Sequence, residues 1–447
     1  MLVNNNISID VKYQQFECNT FNFNQFSSCT ELTFNSVQKP EDVVCPVCGK
    51  PVYAQNTYTV TLKDAPLFVS VFQNIYVNIH RYQCTHCGKT FTENNVLKYP
   101  GTRVTVRAAD WIKAFLRCGL SIKDVSDLTG IHWETICNIH KAYMDEIIEN
   151  HENYLKRIHY KPKYLAVDEF AIHKGHTYAT SVMDIETGDI IWVGRGRTKD
   201  SFECFFMETD PDILTDVKAV AMDMNASYNA LVERYLPYAE IVYDRYHMQA
   251  QYGKDVLGAV RLQEAREHQN YAKEIDLKIS QTEDVIERRM LKQLAREERN
   301  KYSTLKNSRW ALLTNSSNLN ENKLDSLSRI LSEHEKLAVC YAMREEMCRL
   351  FTIRDEAEAE RGWKQWFEAA KQSNIPQLIK FANLKEKRLQ GLIAHASHPI
   401  STGKIEGYNN KIKVAKRNAY GYRNDDYFFT LIRYSSIPSW FVFHKKT

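Results

Sequence analysis

Two short apolar runs, KYLAVD at residues 163–168 and VKAVAMD at 217–223, each end in an aspartate. Runs this short and this apolar predict strands buried in a sheet. A carboxylate has no place inside such a sheet unless something compensates it, because an unpaired buried charge is strongly destabilising. Each run therefore ends at the surface, or a cation waits at its tip. In the first run the aspartate is followed at once by Glu169. Neighbours on a strand point to opposite faces, so only one of that pair can face Asp223. Asp168, which closes its run as Asp223 does, is the expected one.

The segments around these runs set the topology. HTYATSVMDI and IIWVGRG predict a hairpin turning at ETGD, DSFECFFMET and ASYNALVERYL predict helices, and AEIVYD predicts a fifth strand. Three antiparallel strands followed by α-β-α-β is the order of a ribonuclease-H-like fold, in which the first and fourth strands lie side by side and parallel. That order brings Asp168 and Asp223 together at adjacent strand tips.

Further toward the N-terminus, CPVCGK and CTHCGKTF are separated by 35 residues between Cys48 and Cys84. Each C-x-x-C-G is a tight turn that aims two thiols at one point, and Cys45, Cys48, Cys84 and Cys87 together suit a tetrahedral structural Zn²⁺. PLFVSVF and IYVNIHRYQC alternate as strands between them, and the long gap implies an inserted hairpin. The other seven cysteines are scattered and expected to pack as small apolar residues.

Residues 104–148 predict three helices. Ser121 and Asp124 make a capping pattern, and Ser126, Gly130 and Ile136 stand where a helix-turn-helix needs a small residue, a turn glycine and an apolar anchor. Ile136, Ile139 and Tyr143 then face inward, which leaves His132, Glu134, Thr135, Asn138 and Lys141 to meet DNA. A plain three-helix packing unit is the competing reading.

Residues 250–395 are charged, helix-periodic and almost free of strand signals, and predict an all-helical insertion whose apolar stripes form core. After it, STGKIEGYNNKIKVAKRNAYGYR predicts a helix burying Ile405, Tyr408, Ile412 and Ala415. Glu406, Asn409 or Asn410, Lys413 and Arg417 line its polar face. Residues 385–423 carry nine Lys/Arg against two Glu, a local charge of +7 in a chain whose net charge is only +4. Glu406 supplies the third acid of a D-D-E set. Hard oxygen ligands suit Mg²⁺ (or Mn²⁺), and two such ions about 4 Å apart can activate the attacking oxygen and stabilise the leaving oxygen of a phosphodiester. Asp168 would bridge the ions, with Asp223 and Glu406 each favouring one. Asn410, Lys413 and Arg417 would lie beside the DNA backbone.

Three blocks, VDEFAIHKGHTYATSVMDIETGDIIWVGRGR, AMDMNASYNALVERYLPYAEIVYDRYHM and ISTGKIEGYNNKIKVAKRNAYGYR, resemble in this order those of the ISL-three family of bacterial insertion-sequence transposases. The resemblance spans roughly residues 45–435, including the cysteine ribbon, the helix-turn-helix and SRWALLTNSSNL in the insertion. By position, the family's catalytic acids fall on Asp168, Asp223 and Glu406, none of them substituted. The resemblance implies DNA strand cleavage and transfer between terminal inverted repeats. His247 in YDRYHM also matches a recurrent family position and is read as a core histidine.

The expected fold class is multidomain α+β. A segment of unknown role (1–40) precedes a zinc ribbon (41–100) and a helix-turn-helix domain (101–160). A ribonuclease-H-like catalytic domain follows (161–250), is interrupted by the helical insertion (251–395) and ends with the acidic helix (396–447). The expected partners are double-stranded DNA, both transposon ends and target, and a second copy of the chain, since two ends must be held together in a homodimer or larger synaptic complex. The start, MLVNNNISIDVKY, lacks a signal peptide's basic and apolar regions, and no run reaches the roughly 18 apolar residues of a membrane span, so the cytoplasm is the expected address and no membrane partner is expected. The alternatives are a catalytically silent DNA-binding regulator or domesticated transposase, and a nuclease on the same fold that does not join strands.

Overall fold

The computed structural model describes residues 16–24, 29–65, 72–173, 175, 177–314, 320–419 and 422–443. The chain divides into two compact units, Met1–Asn153 with Lys413–Ser435, and Tyr154–Ile412 with Ser436–Thr447. Among the described residues, no helix is long and apolar enough to cross a membrane. Residues 66–71 of the expected strand PLFVSVF lie outside the described residues.

The first unit opens with a mixed sheet of β1 (Phe16–Asn24), β2 (Cys29–Ser36), β3 (Val52–Asp64), β4 (Phe72–Cys84) and β5 (Thr90–Thr92) in the order β1-β2-β4-β3, with β5 pairing β4. The sequence assigns residues 1–40 no role. The structure corrects this, because β2 runs parallel to β4 and adds Leu32 and Phe34 to a core with Leu62, Ile75, Val77 and Ile79. The polar Thr, Asn and Glu that alternate with these apolar residues hide the strand from a composition-based reading. The gap between the two C-x-x-C turns is spanned by β3 and β4, paired antiparallel from Val52↔Cys84 to Asp64↔Gln73.

Three helices follow: α1 (Val106–Arg117), α2 (Ile122–Thr129) and α3 (Trp133–Arg157). The Ser121–Asp124 capping box forms as the pattern predicts. Gly130 turns the chain at φ 62°, a left-handed conformation that glycine adopts without strain. Val125, Ile131, Ile136 and Ile139 close over Ala108, Ala109 and Ile112 of α1. Tyr143 is only half-buried, its ring 5.9 Å from that of Tyr434.

The second unit is built on a sheet of β6 (Tyr164–His173), β7 (Thr177–Asp184), β8 (Ile190–Arg195), β9 (Ala219–Met222) and β10 (Glu240–Tyr243), in the order β10-β9-β6-β7-β8. The pairs β6/β7 and β7/β8 are antiparallel, and β6/β9 and β9/β10 are parallel. On one face α4 (Lys199–Glu208) and α5 (Ala226–Tyr235) pack Phe202, Phe205, Leu231 and Val232 against Leu165, Val167, Val220 and Met222. On the other face the strands present Ala166, Ala219 and Ala221, all fully buried. Such small side chains leave room for a helix to lie close.

Asp168 does not sit at a strand tip, as its place after an apolar run suggests. β6 continues five residues further, to His173, with Asp168 opposite Ser181 of β7. The strand that stops is β9, whose pairing with β6 ends at Ala166↔Ala221. Beyond that pair β9 no longer runs beside β6 among the described residues, and the half-buried Asp168 stands in mid-strand on the face that also carries Ala166.

The insertion starts from α6 (Arg245–Tyr252) and a π-helical turn at Gly253–Gly258. It continues through α7 (Ala259–Gln281), α8 (Val285–Asn307), α9 (Arg309–Leu313), α10 (Glu321–Glu333), α11 (Glu335–Leu350), α12 (Glu356–Gln372), α13 (Pro376–Glu386) and α14 (Leu389–Ser397). Its core of Trp363, Trp366, Phe367, Phe381 and Leu337 is continuous with Tyr243 of β10 and with Met248 and Tyr252 of α6. Next comes α15 (Gly403–Asn418), whose residues through Ile412 belong to this unit. Of the scattered cysteines described, Cys340 is buried in core as expected, whereas Cys118 and Cys204 are exposed.

Within α16 (Asp425–Ser436), residues 425–435 return to the first unit. The expected C-terminal part of the catalytic domain is thus shared between units. Tyr427 of α16 meets His140 of α3 at 2.6 Å, hydroxyl to Nδ1, with both residues buried. Burial pushes the His140 imidazolium down to about 4. Its unfolded-state value is about 6.5, so the unfolded chain binds the extra proton between these limits and stability is lost as pH falls from about 6.5 to about 4. Chemical denaturation across that window should show a loss on the order of 3 kcal/mol from this group, and His140→Gln should flatten that part of the profile. A His140→Gln profile identical to wild type would mean that His140 titrates alike in the folded and unfolded chain.

Candidate active site and metal centres

The carboxylate of Asp168 is fixed from two sides. Its Oδ1 accepts the backbone N–H of Glu169 at 2.8 Å, and its Oδ2 accepts the side-chain amide of Asn409 at 2.7 Å. Asn409 is buried on α15, one turn beyond Glu406. Burial raises the Asp168 pKa, and repulsion from Glu406 adds to it, while His247 and the Asn409 amide pull the other way. The structure thus brings Asp168 and Glu406 within electrostatic reach of each other from opposite ends of the insertion.

Glu169 points to the other face, as the alternation of a strand requires. Burial raises its pKa and repulsion from Asp168 and Asp223 adds to it, while a hydrogen bond from Tyr228 and the charge of Arg197 pull the other way. Asp223 lies just past the end of β9, exposed, with its Oδ1 accepting the N–H of Met224 at 2.6 Å. Continuing the β6/β9 register by two residues would set it beside Asp168.

A third aspartate, missed by the sequence reading, completes the frame. Asp244 caps α6, its Oδ1 accepting from Tyr246 N at 2.7 Å and His247 N at 3.0 Å. Its Oδ2 accepts from Thr402 N at 2.9 Å, immediately before α15, and the Thr402 hydroxyl donates to Glu406 Oε1 at 3.3 Å. Asp244 is buried and ties the first turn of the Glu406 helix to the end of β10. The signal was available, since AEIVYD is a third apolar run closed by an aspartate.

His247 is not a core histidine. Its side chain is 37% exposed, and its ligating nitrogen, an Asp244 oxygen and a Glu406 oxygen lie within 4.8 Å of one another. The expected set Asp168, Asp223 and Glu406 does not close to that distance among the described residues.

In the first unit the four expected cysteines converge. Sγ separations are 3.6 Å for Cys45–Cys87, 3.5 Å for Cys48–Cys84 and 3.6 Å for Cys48–Cys87. Four sulfurs placed tetrahedrally at a Zn–S distance of about 2.3 Å would be about 3.8 Å apart, so the donor set and its size fit Zn²⁺. The two turns are copies of each other: Cys45 N binds Lys50 O and Cys84 N binds Lys89 O, each at 2.9 Å, with Gly49 and Gly88 at φ 69° and 68°.

The ISL3 family model, described as "Transposase", matches residues 165–432. The transposase for insertion sequence element IS1001 of Bordetella parapertussis is 32% identical over 392 residues, covering 88% of each chain. This chain belongs to the ISL3 transposase family. The transposase for insertion sequence element IS1557 of Mycobacterium tuberculosis (strain CDC 1551 / Oshkosh) is 27% identical over 322 residues, 71% of this chain and 68% of that one.

For an ISL3 transposase, DNA is the substrate to which the remaining expected residues must answer. His132, Glu134 and Asn138 are exposed at the start of α3, while Thr135 and Lys141 are half-buried. Lys141 is held by Asp145 at 2.8 Å, one turn along. Trp133, 56% exposed beside His132, was not singled out by the spacing. On α15, Asn410, Lys413 and Arg417 are exposed. The expectation left open which asparagine faces the acids, and it is the buried Asn409.

The purified transposase should carry about one zinc per chain, read by metal analysis. Closing such a site contributes on the order of 10 kcal/mol to its module. Cys84→Ser should therefore lose the metal, unfold the β3–β4 end and abolish binding to transposon ends. Cleanly folded protein without zinc would refute the assignment.

Proposed function

We propose that this transposase binds the terminal inverted repeats of its insertion sequence and cleaves and transfers DNA strands by divalent-metal chemistry on Asp168, Asp223 and Glu406. The observation that carries the reading is the approach of Glu406, on α15, to Asp168 on β6, with Asn409 bonded to the same carboxylate. The order β10-β9-β6-β7-β8, with its adjacent parallel pair, supports a ribonuclease-H-like assignment of this sheet. The helix–glycine turn–helix of α2 and α3 supports a helix-turn-helix, and the four thiols support a zinc ribbon.

The donors near Asp168 are oxygen-rich, which fits Mg²⁺ or Mn²⁺. Two half-buried, mutually repelling carboxylates are relieved by a cation. When bound, such ions supply Lewis-acid activation of the phosphodiester and of the attacking oxygen. The chain's own part is to hold ligands still. The Glu169 N–H and the Asn409 amide fix the Asp168 oxygens, the Met224 N–H fixes Asp223, and Asp244 fixes the helix start from which Glu406 projects. Asn410, Lys413 and Arg417 would follow the DNA backbone, and two chains would hold the two ends in a homodimer or larger synaptic complex.

Asp168→Asn keeps the shape and removes a charge, so nicking of a labelled transposon end in Mg²⁺ should fall by orders of magnitude. Asp223→Asn and Glu406→Gln should behave alike. Glu169→Gln, on the opposite face, should be far milder, and gel-shift binding to the same end should survive in all four. Near wild-type nicking by Asp168→Asn would move the metal site elsewhere.

Recognition by α3 has its own test. Base contacts carry about 1–3 kcal/mol of discrimination each, so replacing Asn138 and Lys141 with Ala should weaken binding to the ends at least tenfold more than to random DNA of equal length. Equal losses on both DNAs would reassign the helix to backbone contact.

A further inference from the structure

The second unit holds an open cleft of about 1530 Å³ between α5, β10 and α6 on one wall and the end of the insertion on the other. Asp223, Met224, Gln251, Lys254, Lys385 and Arg388 are among the residues that line it. The cleft is larger than the roughly 300–1,000 Å³ of a small-molecule site. Its openness suits a polymer better than an enclosed ligand.

Two cations in it lack a carboxylate partner among the described residues. Lys385, at the end of α13, is only 4% exposed. Its ammonium donates to Gln251 Oε1 at 2.5 Å and approaches Met224 Sδ at 3.0 Å. Arg388 spreads its guanidinium 5.7 Å from the Tyr243 ring centre, and its buried Nη1 has no hydrogen-bond partner. The Tyr243 ring itself is clamped. A Cβ on Gly391 would come within 2.4 Å of it, so only glycine lets α14 approach this closely.

Six carboxylates line the cleft (Asp223, Glu233, Glu240, Asp255, Glu356 and Glu386) against four Lys/Arg, but none forms an ion pair with Lys385 or Arg388 among the described residues. Glu386 is taken by Lys371 at 2.8 Å, and Glu240 lies 3.9 Å from His398. Asp223 and Asp255 act on Lys385 only through space. A buried cation without an anion is strongly destabilising, and one with a free guanidinium beside it is a prepared anion site. The Lys385 contact reaches the residue immediately after Asp223, so an anion held there would lie next to that acid.

We propose that Lys385 and Arg388 form a phosphate clamp that grips one phosphodiester of the DNA strand beside Asp223, so that the insertion contributes directly to substrate binding. The proposal rests on the reading of Asp223 as an active-site acid. It assigns the end of the insertion a ligand, where its apolar stripes alone assign it only a core.

The test uses full-length protein and a transposon-end duplex carrying one uncharged methylphosphonate at successive positions around the cleavage point. In wild type, one position should weaken gel-shift binding about tenfold or more, the value of a lost charge-assisted bond. In Lys385→Met that same substitution should cost nothing further, while neutral linkages elsewhere keep their effect. The slope of log K against log salt should fall by about one. Lys385→Met should also melt no lower than wild type, because an unmatched buried charge has gone. Arg388→Met, half-buried at the rim, repeats the coupling test independently of the packing around Lys385. Methylphosphonate penalties that are the same in wild type and both variants would overturn the clamp. So would a uniform loss of nicking on every duplex with binding unchanged, which would make Lys385 a support for Asp223 alone. Wild-type nicking of the unmodified duplex separates the two readings. Its absence would sink the metal chemistry, whereas the binding coupling decides the clamp either way.

Discussion

The hydrogen bond between Asn409 and Asp168 is the point on which the second unit's chemistry turns. One partner lies in mid-strand on β6 and the other on a helix that begins after the whole insertion has been traversed. For the bond to form, α15 must approach the face of β6 that carries both Ala166 and Asp168, beyond the point where β9 has stopped. A short strand, small neighbours and a returning helix are therefore one arrangement.

That arrangement would be weak if the helix depended on one amide. Asp244 secures it a second time, linking the end of β10 to Thr402 through a buried carboxylate that uses both oxygens on backbone N–H groups. Bonds from a charged acceptor to backbone donors are among the stronger hydrogen bonds available to a protein, and here they act at the first turn of α15, near Glu406. The insertion supports the same geometry, because its core runs without a break into Tyr243, Met248 and Tyr252. Helices that share a core with β10 and α6 cannot drift relative to them without opening that core.

How much of this could be read from the sequence follows from range. The element order, the capping box at Ser121, the turn glycine at Gly130 and the two cysteine turns all depend on neighbours within a few residues, and each appears where its pattern puts it. Asp168 and Glu406 were legible as acids but not as a mid-strand residue and a helix twice secured, because that depends on where β9 stops and how α15 docks. The strand at Cys29–Ser36 was lost for a different reason. Its partner is parallel and about forty residues away, and its outer face is too polar for composition to betray it. His247 was misjudged because a histidine one turn into an amphipathic helix reads as core until the helix N-terminus is found beside the acids.

The charges left unanswered have a common logic. A protein selected for stability alone would pair or remove buried ionic groups, since swapping them for apolar residues is often neutral or favourable. Here Asp168 and Glu406 repel each other, while Lys385 and Arg388 line one cleft with Asp223 and form no ion pair among the described residues. The two groups are of opposite sign, and Asp223 attracts Lys385 through space without closing an ion pair. Separation of that kind persists only if rigid neighbours enforce it, and Asn409, Asp244, Gln251 and Gly391 are those neighbours. In the proposed reading, a DNA strand with its metal ions would bring both missing signs at once, phosphate for Lys385 and Arg388 and cations for the acids. The cost of keeping these groups unpaired in the free protein would then be recovered when substrate and metal arrive together.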